Sequence, residues 1–168
     1  IPLYVHSISV ANKTGLQYAG IYDPNRKELF VANEKVTKLN GEIVNVSDTK
    51  KLDESVISIN TNQSAWKDNN TLSIQKLVDL FAPPITRRIK IIESANLELA
   101  YVACGRLDAY ICLSDKIWDM AAGYRMIESS GGKAIPFKGS FNPLNLRSLG
   151  VIASNKLLID SIYQIILE

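Results

Sequence analysis

The chain is poor in the residues that most often do chemistry unaided. It has one histidine, His6, and two cysteines, Cys104 and Cys112, in 168 residues. A single histidine leaves little room for a serine- or cysteine-type triad. His6 falls in an alternating strand pattern and reads as structural. The two cysteines lie in apolar stretches with neither a partner motif nor zinc-site spacing, so they read as buried free thiols of a reducing, cytoplasmic compartment. An excess of charge is lacking too: 19 basic residues stand against 17 acidic ones, a net +2. That balance argues against nucleic acid or an anionic membrane surface as partner. No apolar run approaches the roughly 20 residues that cross a bilayer, and no signal-peptide pattern is present. The first residue is not methionine. Ile1-Pro2-Leu3-Tyr4 runs directly into a strand pattern, which leaves a natural mature start and a truncated chain equally open.

What is present is an ordinary globular composition, 46% hydrophobic and 21% charged, which argues against disorder. The length suffices for one good core or two small ones. Tyr4–Ala11, Leu16–Tyr22 and Glu28–Ala32 read as strands, separated by the turn residues Asn12–Gly15 and Asp23–Arg26. Asn40-Gly41 marks a hairpin between Val36–Leu39 and Glu42–Val46. Residues 1–50 thus read as an antiparallel meander, with Asp48–Glu54 as the crossover to a second unit over 51–168. There the style changes. Strands are predicted at Val56–Asn60, Ile85–Glu93, Ala109–Leu113, Lys133–Phe137 and Val151–Ala153. Between them fall a polar loop over Thr61–Asn70 and helices at Leu72–Phe81 and Ala95–Cys104, the latter capped by Ser94. A closing helix capped by Ser154 turns Leu157, Leu158, Ile162, Ile165 and Ile166 inward. Gly139 and Pro143 mark an irregular stretch. Alternating strands and helices predict an α/β layered unit. The basic residues Arg87, Arg88 and Lys90 read as a solvated strand edge.

The densest stretch is Asp115–Gly132. Asp119 stands at the mouth of a helix on which Ala122, Met126 and Ser130 recur at helical spacing, and Gly131-Gly132 stop it. On residue type alone, Asp119 is a helix-capping carboxylate. Asp115 and Lys116 are open to two readings, specificity residues or solvated charges, and the solvated face is the preferred one. The words Trp118-Asp119-Met120-Ala121-Ala122-Gly123, then Met126-Ile127, Glu128 and Gly131-Gly132, resemble the second signature of the inositol monophosphatase family. The resemblance implies a magnesium ligand at Asp119 that also touches substrate.

It extends along nearly the whole chain, through Tyr18–Pro24, Glu28–Phe30, Leu39–Gly41, Ser94–Ala95, Leu99–Ala103, Gly105–Tyr110 and Gly150–Asn155, but it covers only the later half of the family. The family's first signature, Asp-Pro-Ile/Leu-Asp-Gly-Thr, and an earlier glutamate pair are not in this sequence. The fold implied is a layered αβαβα sandwich, of which the chain would hold the C-terminal αβα unit and the antiparallel strands of the N-terminal sheet. The activity implied is Mg²⁺-dependent hydrolysis of a small phosphate monoester, an inositol monophosphate or a related sugar or nucleotide phosphate, by a homodimer once the N-terminal half is present. The fragment alone is expected to be inactive, and a non-catalytic binding or scaffold domain is the alternative. Glu93, Ser94 and Ala95 match a segment that contacts substrate hydroxyls, although position 93 is usually glycine in the family. Cys112 matches a position where many members carry a hydroxyl-binding glutamate. A thiol is a poor acceptor, so on residue type it is a buried strand thiol.

Overall fold

The computed structural model describes residues 2–61, 74–137, 142 and 149–167. The first five strands form one antiparallel meander, β1 (His6–Asn12), β2 (Gly15–Asp23), β3 (Glu28–Ala32), β4 (Thr37–Leu39) and β5 (Glu42–Val44), paired in sequence order. Period-2 alternation gives this sheet two unlike faces. Leu16, Ala19, Ile21, Phe30 and Ala32 are buried on one, while Ile8, Val10, Tyr18, Leu29, Val31 and Ile43 are exposed on the other. The hairpin at Asn40-Gly41 forms as its residues predict, both at positive φ, the type I′ requirement.

After a short 3₁₀ turn at Leu52–Glu54, the chain builds a second sheet from β6 (Val56–Ile59), β7 (Arg88–Lys90), β8 (Ala109–Asp115), β9 (Lys133–Pro136) and β10 (Leu149–Ser154), in spatial order β7-β6-β8-β10-β9. β6 is parallel to both β7 and β8, and β10 is antiparallel to β8 and β9. The helices are α1 (Ile74–Phe81), α2 (Ala95–Ala103), α3 (Ile117–Ser129) and α4 (Ile159–Leu167). α2 and α3 lie between the two sheets. Their apolar residues share one core with Ile21 and Phe30 of the first sheet and with Tyr110, Cys112 and Val151 of the second. α1 and α4 cover the opposite face of the second sheet, packing on Ile57, Ile111 and Ile152. The described layers therefore run sheet, helices, sheet, helices, which is the αβαβα sandwich without a helical layer on the outer face of the first sheet.

Several local expectations change. β8 continues through Ser114 and Asp115, beyond the predicted Ala109–Leu113, because its pairing with β10 reaches Leu149 opposite Asp115. Only Arg88–Lys90 of the Ile85–Glu93 run is a strand, since Pro84 and its neighbours turn and Thr86 is buried with its hydroxyl donating to the Phe81 carbonyl at 2.5 Å. Arg87, Arg88 and Lys90 are exposed, on or beside this edge strand. Neither predicted serine cap forms. The Ser94 side chain makes no capping bond to α2; the Glu98 carboxylate instead reaches back to the Ser94 amide at 2.9 Å. Asn155, not Ser154, turns the chain into α4, accepting from the Leu157 and Leu158 amides at 2.9 Å each. Leu157, expected inside, is 53% exposed. The Thr61–Asn70 loop beyond Thr61, the start of the Leu72–Phe81 helix, and Gly139 and Pro143 lie outside the described residues.

Candidate functional site

The chain's parallel strands point their carboxyl ends at one place, which is where layered α/β sheets hold ligands. Asn60 follows β6, Glu93 and Ser94 follow β7, and Asp115 ends β8. α2 and α3 begin at the same place. Ala95 and Asn96 open α2, and Asp119 is the third residue of α3. These residues line a cavity of about 420 Å³, closed on its remaining side by Leu3, Tyr4, Val5 and Ser7 from the segment entering and opening β1. Two helix N-termini face one polar hollow, an arrangement that favours an anionic group.

Of the five positions singled out in the sequence, Glu93, Ser94, Ala95 and Asp119 stand on the wall of this cavity. Cys112 does not. It is fully buried behind the wall, with its thiol 4.0 Å from the Asp115 Oδ2. Burial, with the Asp115 carboxylate adding to it, pushes the thiol up to about 12, so it stays protonated as a weak donor towards Asp115. Glu93 has φ of +63°, a left-handed conformation that glycine enters without strain. That is a physical reason for the family's glycine there. The Glu93 carboxylate accepts from the Thr61 amide at 2.8 Å and the Thr61 hydroxyl at 2.7 Å.

Two further residues, Asn60 and Asn96, belong to the site and were not read from the sequence, and Asp115 belongs to it against the preferred reading of a solvated charge. Asp115, expected to be solvated, is half-buried in the cavity and accepts from the Lys116 amide at 2.8 Å. Burial pushes its carboxyl up to about 6, and the neighbouring Asp119 and Glu93 carboxylates reinforce the shift by like-charge repulsion. Lys116 itself is exposed. Asn96 and Asn60 are buried, at 7% and 5% exposure. Asn96 carried a signal: a polar residue next to Leu97, in a helix whose sequence is otherwise mostly apolar, must find partners inside the protein. Asn60 carried none, because only the fold brings three strand ends together.

Glu93, Asp115 and Asp119 offer oxygen donors only, the chemistry that suits Mg²⁺. Among the described residues, no group of three or more histidine, cysteine or acidic side chains is arranged to hold a metal ion. The donor types suit a hard cation, and among the described residues these side chains do not assemble a cage for one.

Comparison with known proteins agrees with this layout. Residues 1–167 match the inositol monophosphatase family. The Nus factor SuhB of Xylella fastidiosa is 33% identical over 99% of this chain, and the fructose-1,6-bisphosphatase/inositol-1-monophosphatase of Thermotoga maritima is 28% identical over all of it. The chain spans 62% of the length of each. Among solved structures, the Thermotoga maritima IMPase superposes with a TM-score of 0.83 at 27% identity, covering 97% of this chain and 60% of that one. The extragenic suppressor protein SuhB of Bartonella henselae gives 0.83 at 25% identity, covering 96% and 60%. With residues 1–167 matched to the family and the fold shared, the chain belongs to the inositol monophosphatase family.

Proposed function

We propose that this chain forms the alcohol-side wall, and one metal-holding position, of a divalent-cation-dependent phosphomonoesterase. The observation that carries the reading is the charge of the cavity. Glu93, Asp115 and Asp119 line it together, and no lysine or arginine stands among its described lining residues. A phosphate dianion is repelled by such a wall unless a cation lies between them. Mg²⁺, when bound, supplies that neutralisation and a water activated for attack. Asp119 is the residue we assign to hold it. Burial is the main cause of the raised Asp115 carboxyl, and the smaller like-charge share from Asp119 and Glu93 is what a cation would relieve.

The same wall speaks to substrate class. Carboxylate and amide oxygens from Glu93, Asp115 and Asn60 can accept hydrogen bonds from hydroxyls, whereas a second phosphate would face the three carboxylates of the wall. The alcohol half is therefore an uncharged polyol or sugar, so monophosphates are favoured over bisphosphates. Because the chain spans 62% of its relatives' length, turnover belongs to the protein that also supplies the remaining metal ligands.

A second reading has its own support. The relatives that are 32–34% identical are named Nus factors, and only Asp119 of this chain matches the family's metal cage. A non-catalytic binding role accommodates both facts. One experiment separates the two. In the natural protein, Asp119→Asn keeps a side-chain oxygen at the helix start but removes the charge. The enzymatic reading expects an unchanged melting temperature, at least a hundredfold loss of inositol 1-phosphate hydrolysis and weaker Mg²⁺ binding by calorimetry. Undetectable hydrolysis and cation binding in the unmutated protein would favour the binding role.

A further inference from the structure

We propose that Asn96 is a positioning residue for Asp119, holding the first turn of α3 from the opening of α2; the inference rests on the metal-holding reading of Asp119. Asparagine near a helix start commonly serves its own helix. Asn96 does not. Its three hydrogen-bond partners lie 22, 27 and 89 residues away. The amide nitrogen donates to the Trp118 carbonyl at 3.3 Å and to the Ser7 hydroxyl at 3.0 Å, and the amide oxygen accepts from the Gly123 N–H at 3.2 Å.

Those α3 partners bracket Asp119. The Trp118 carbonyl belongs to the same peptide plane as the Asp119 amide. The Gly123 N–H is the donor that, at helical spacing, returns to the Asp119 carbonyl. One buried side chain thus touches the backbone on both sides of the residue that faces the cavity. The turn needs outside support, because the Lys116 side chain at its N-cap position makes no capping bond. Lys116 supplies only its carbonyl, which accepts from the Asp119 amide at 3.0 Å. Close approach makes the clamp possible: a Cβ on Gly123 would overlap the Leu99 side chain of α2. Through Ser7 the same amide ties this turn to the strand beside the cavity mouth. Asn96 touches the backbone around the ligand rather than the cation, the usual place for a residue that orients a metal ligand.

The test compares the natural protein with Asn96→Ala and with Asp119→Asn, using Mn²⁺ as the probe. Free Mn²⁺ is measured by electron paramagnetic resonance, and backbone exchange by deuterium uptake. We expect Asn96→Ala to weaken Mn²⁺ binding about tenfold, within the range typical of outer-shell residues. Exchange should rise in peptides covering 117–123 while those covering 159–167 stay at wild-type protection. Unchanged Mn²⁺ affinity with unchanged exchange at 117–123 overturns the proposal. So does a loss of protection spread evenly over both regions with Mn²⁺ affinity intact, which is what a merely structural asparagine gives. If the wild type takes up no Mn²⁺, the metal reading of Asp119 fails, and the exchange at 117–123 alone decides whether Asn96 holds the turn.

Discussion

Glu93 holds Thr61 from a left-handed backbone conformation: at φ +63° its carboxylate accepts from both the amide and the hydroxyl of Thr61, at 2.8 and 2.7 Å. The pair joins the end of the β7 connection to the end of β6 at the cavity rim. Local strain and a gained contact oppose each other at one residue.

Two substitutions separate those effects. Glu93→Ala loses the Thr61 contacts and keeps a Cβ at positive φ. Glu93→Gly loses the same contacts and relieves the strain. A left-handed non-glycine residue costs roughly 1 kcal/mol or slightly more, so Glu93→Gly should be the more stable variant by about that amount in urea melts. Equal midpoints for the two variants would show that the backbone at 93 is not strained.

Much of this fold was legible because its signals are local. The Asn40-Gly41 turn, the strand pattern of Leu16–Tyr22 and the glycine stop after Ser130 each act within a few residues. The Trp118–Gly123 words located Asp119 for the same reason. The errors share a different origin. Ser94 and Ser154 carry the residue type of a cap, but the Glu98 carboxylate takes the Ser94 amide and Asn155 caps α4 in place of Ser154. The Ser154 hydroxyl is spent on the Asp108 carbonyl at 2.8 Å. Asp115 looked solvated because its neighbour Lys116 is. Its burial depends on Asp119 and Glu93 arriving from other elements, which no window of adjacent residues contains.

Glu98 yields a pH prediction. It is fully buried in α2, with the Ser58 hydroxyl donating at 2.5 Å and the Ser94 amide at 2.9 Å. Burial raises its carboxyl above the usual glutamate range, although both hydrogen bonds pull the other way. The folded state therefore holds this proton at a pH where the unfolded chain has released it. Between those two ranges the native state binds more protons, so the contribution of Glu98 to stability falls as pH rises. It is fully present below the ordinary glutamate range. Asp115, raised to about 6, acts with the same sign. Glu98→Gln keeps the shape, can accept from the Ser94 amide and no longer titrates. Melting temperatures from pH 4 to 8 should fall less steeply with rising pH for Glu98→Gln than for the parent. Parallel curves would mean that folding leaves the proton affinity of Glu98 unchanged.

The outer face of the first sheet gives the last prediction. Ile8, Val10, Tyr18, Tyr22, Leu29, Val31 and Ile43 are each between 38% and 68% exposed on it. Among the described residues β1 pairs with β2 alone and is an edge of that sheet. Register explains why the patch is continuous. Ile8 and Val31 stand on either side of Gly20, whose missing side chain leaves an apolar hollow of about 290 Å³ that Val10 and Tyr18 help to line. A contiguous apolar patch beside an open strand edge is a site of association. In α/β layered proteins such a face is buried under another layer, and none covers it among the described residues. The 168-residue chain produced by itself should therefore associate. Light scattering after gel filtration at tens of micromolar should give a mass above that of one chain. Ile8→Thr with Val31→Thr keeps β-branched side chains in the strands and removes two apolar anchors already in water. The pair should lower the mass towards one chain and leave the melting temperature of the core within about 3 °C, since the inward residues Ile21 and Phe30 are untouched. A parent chain that stays monomeric at millimolar concentration would show that this face needs no cover.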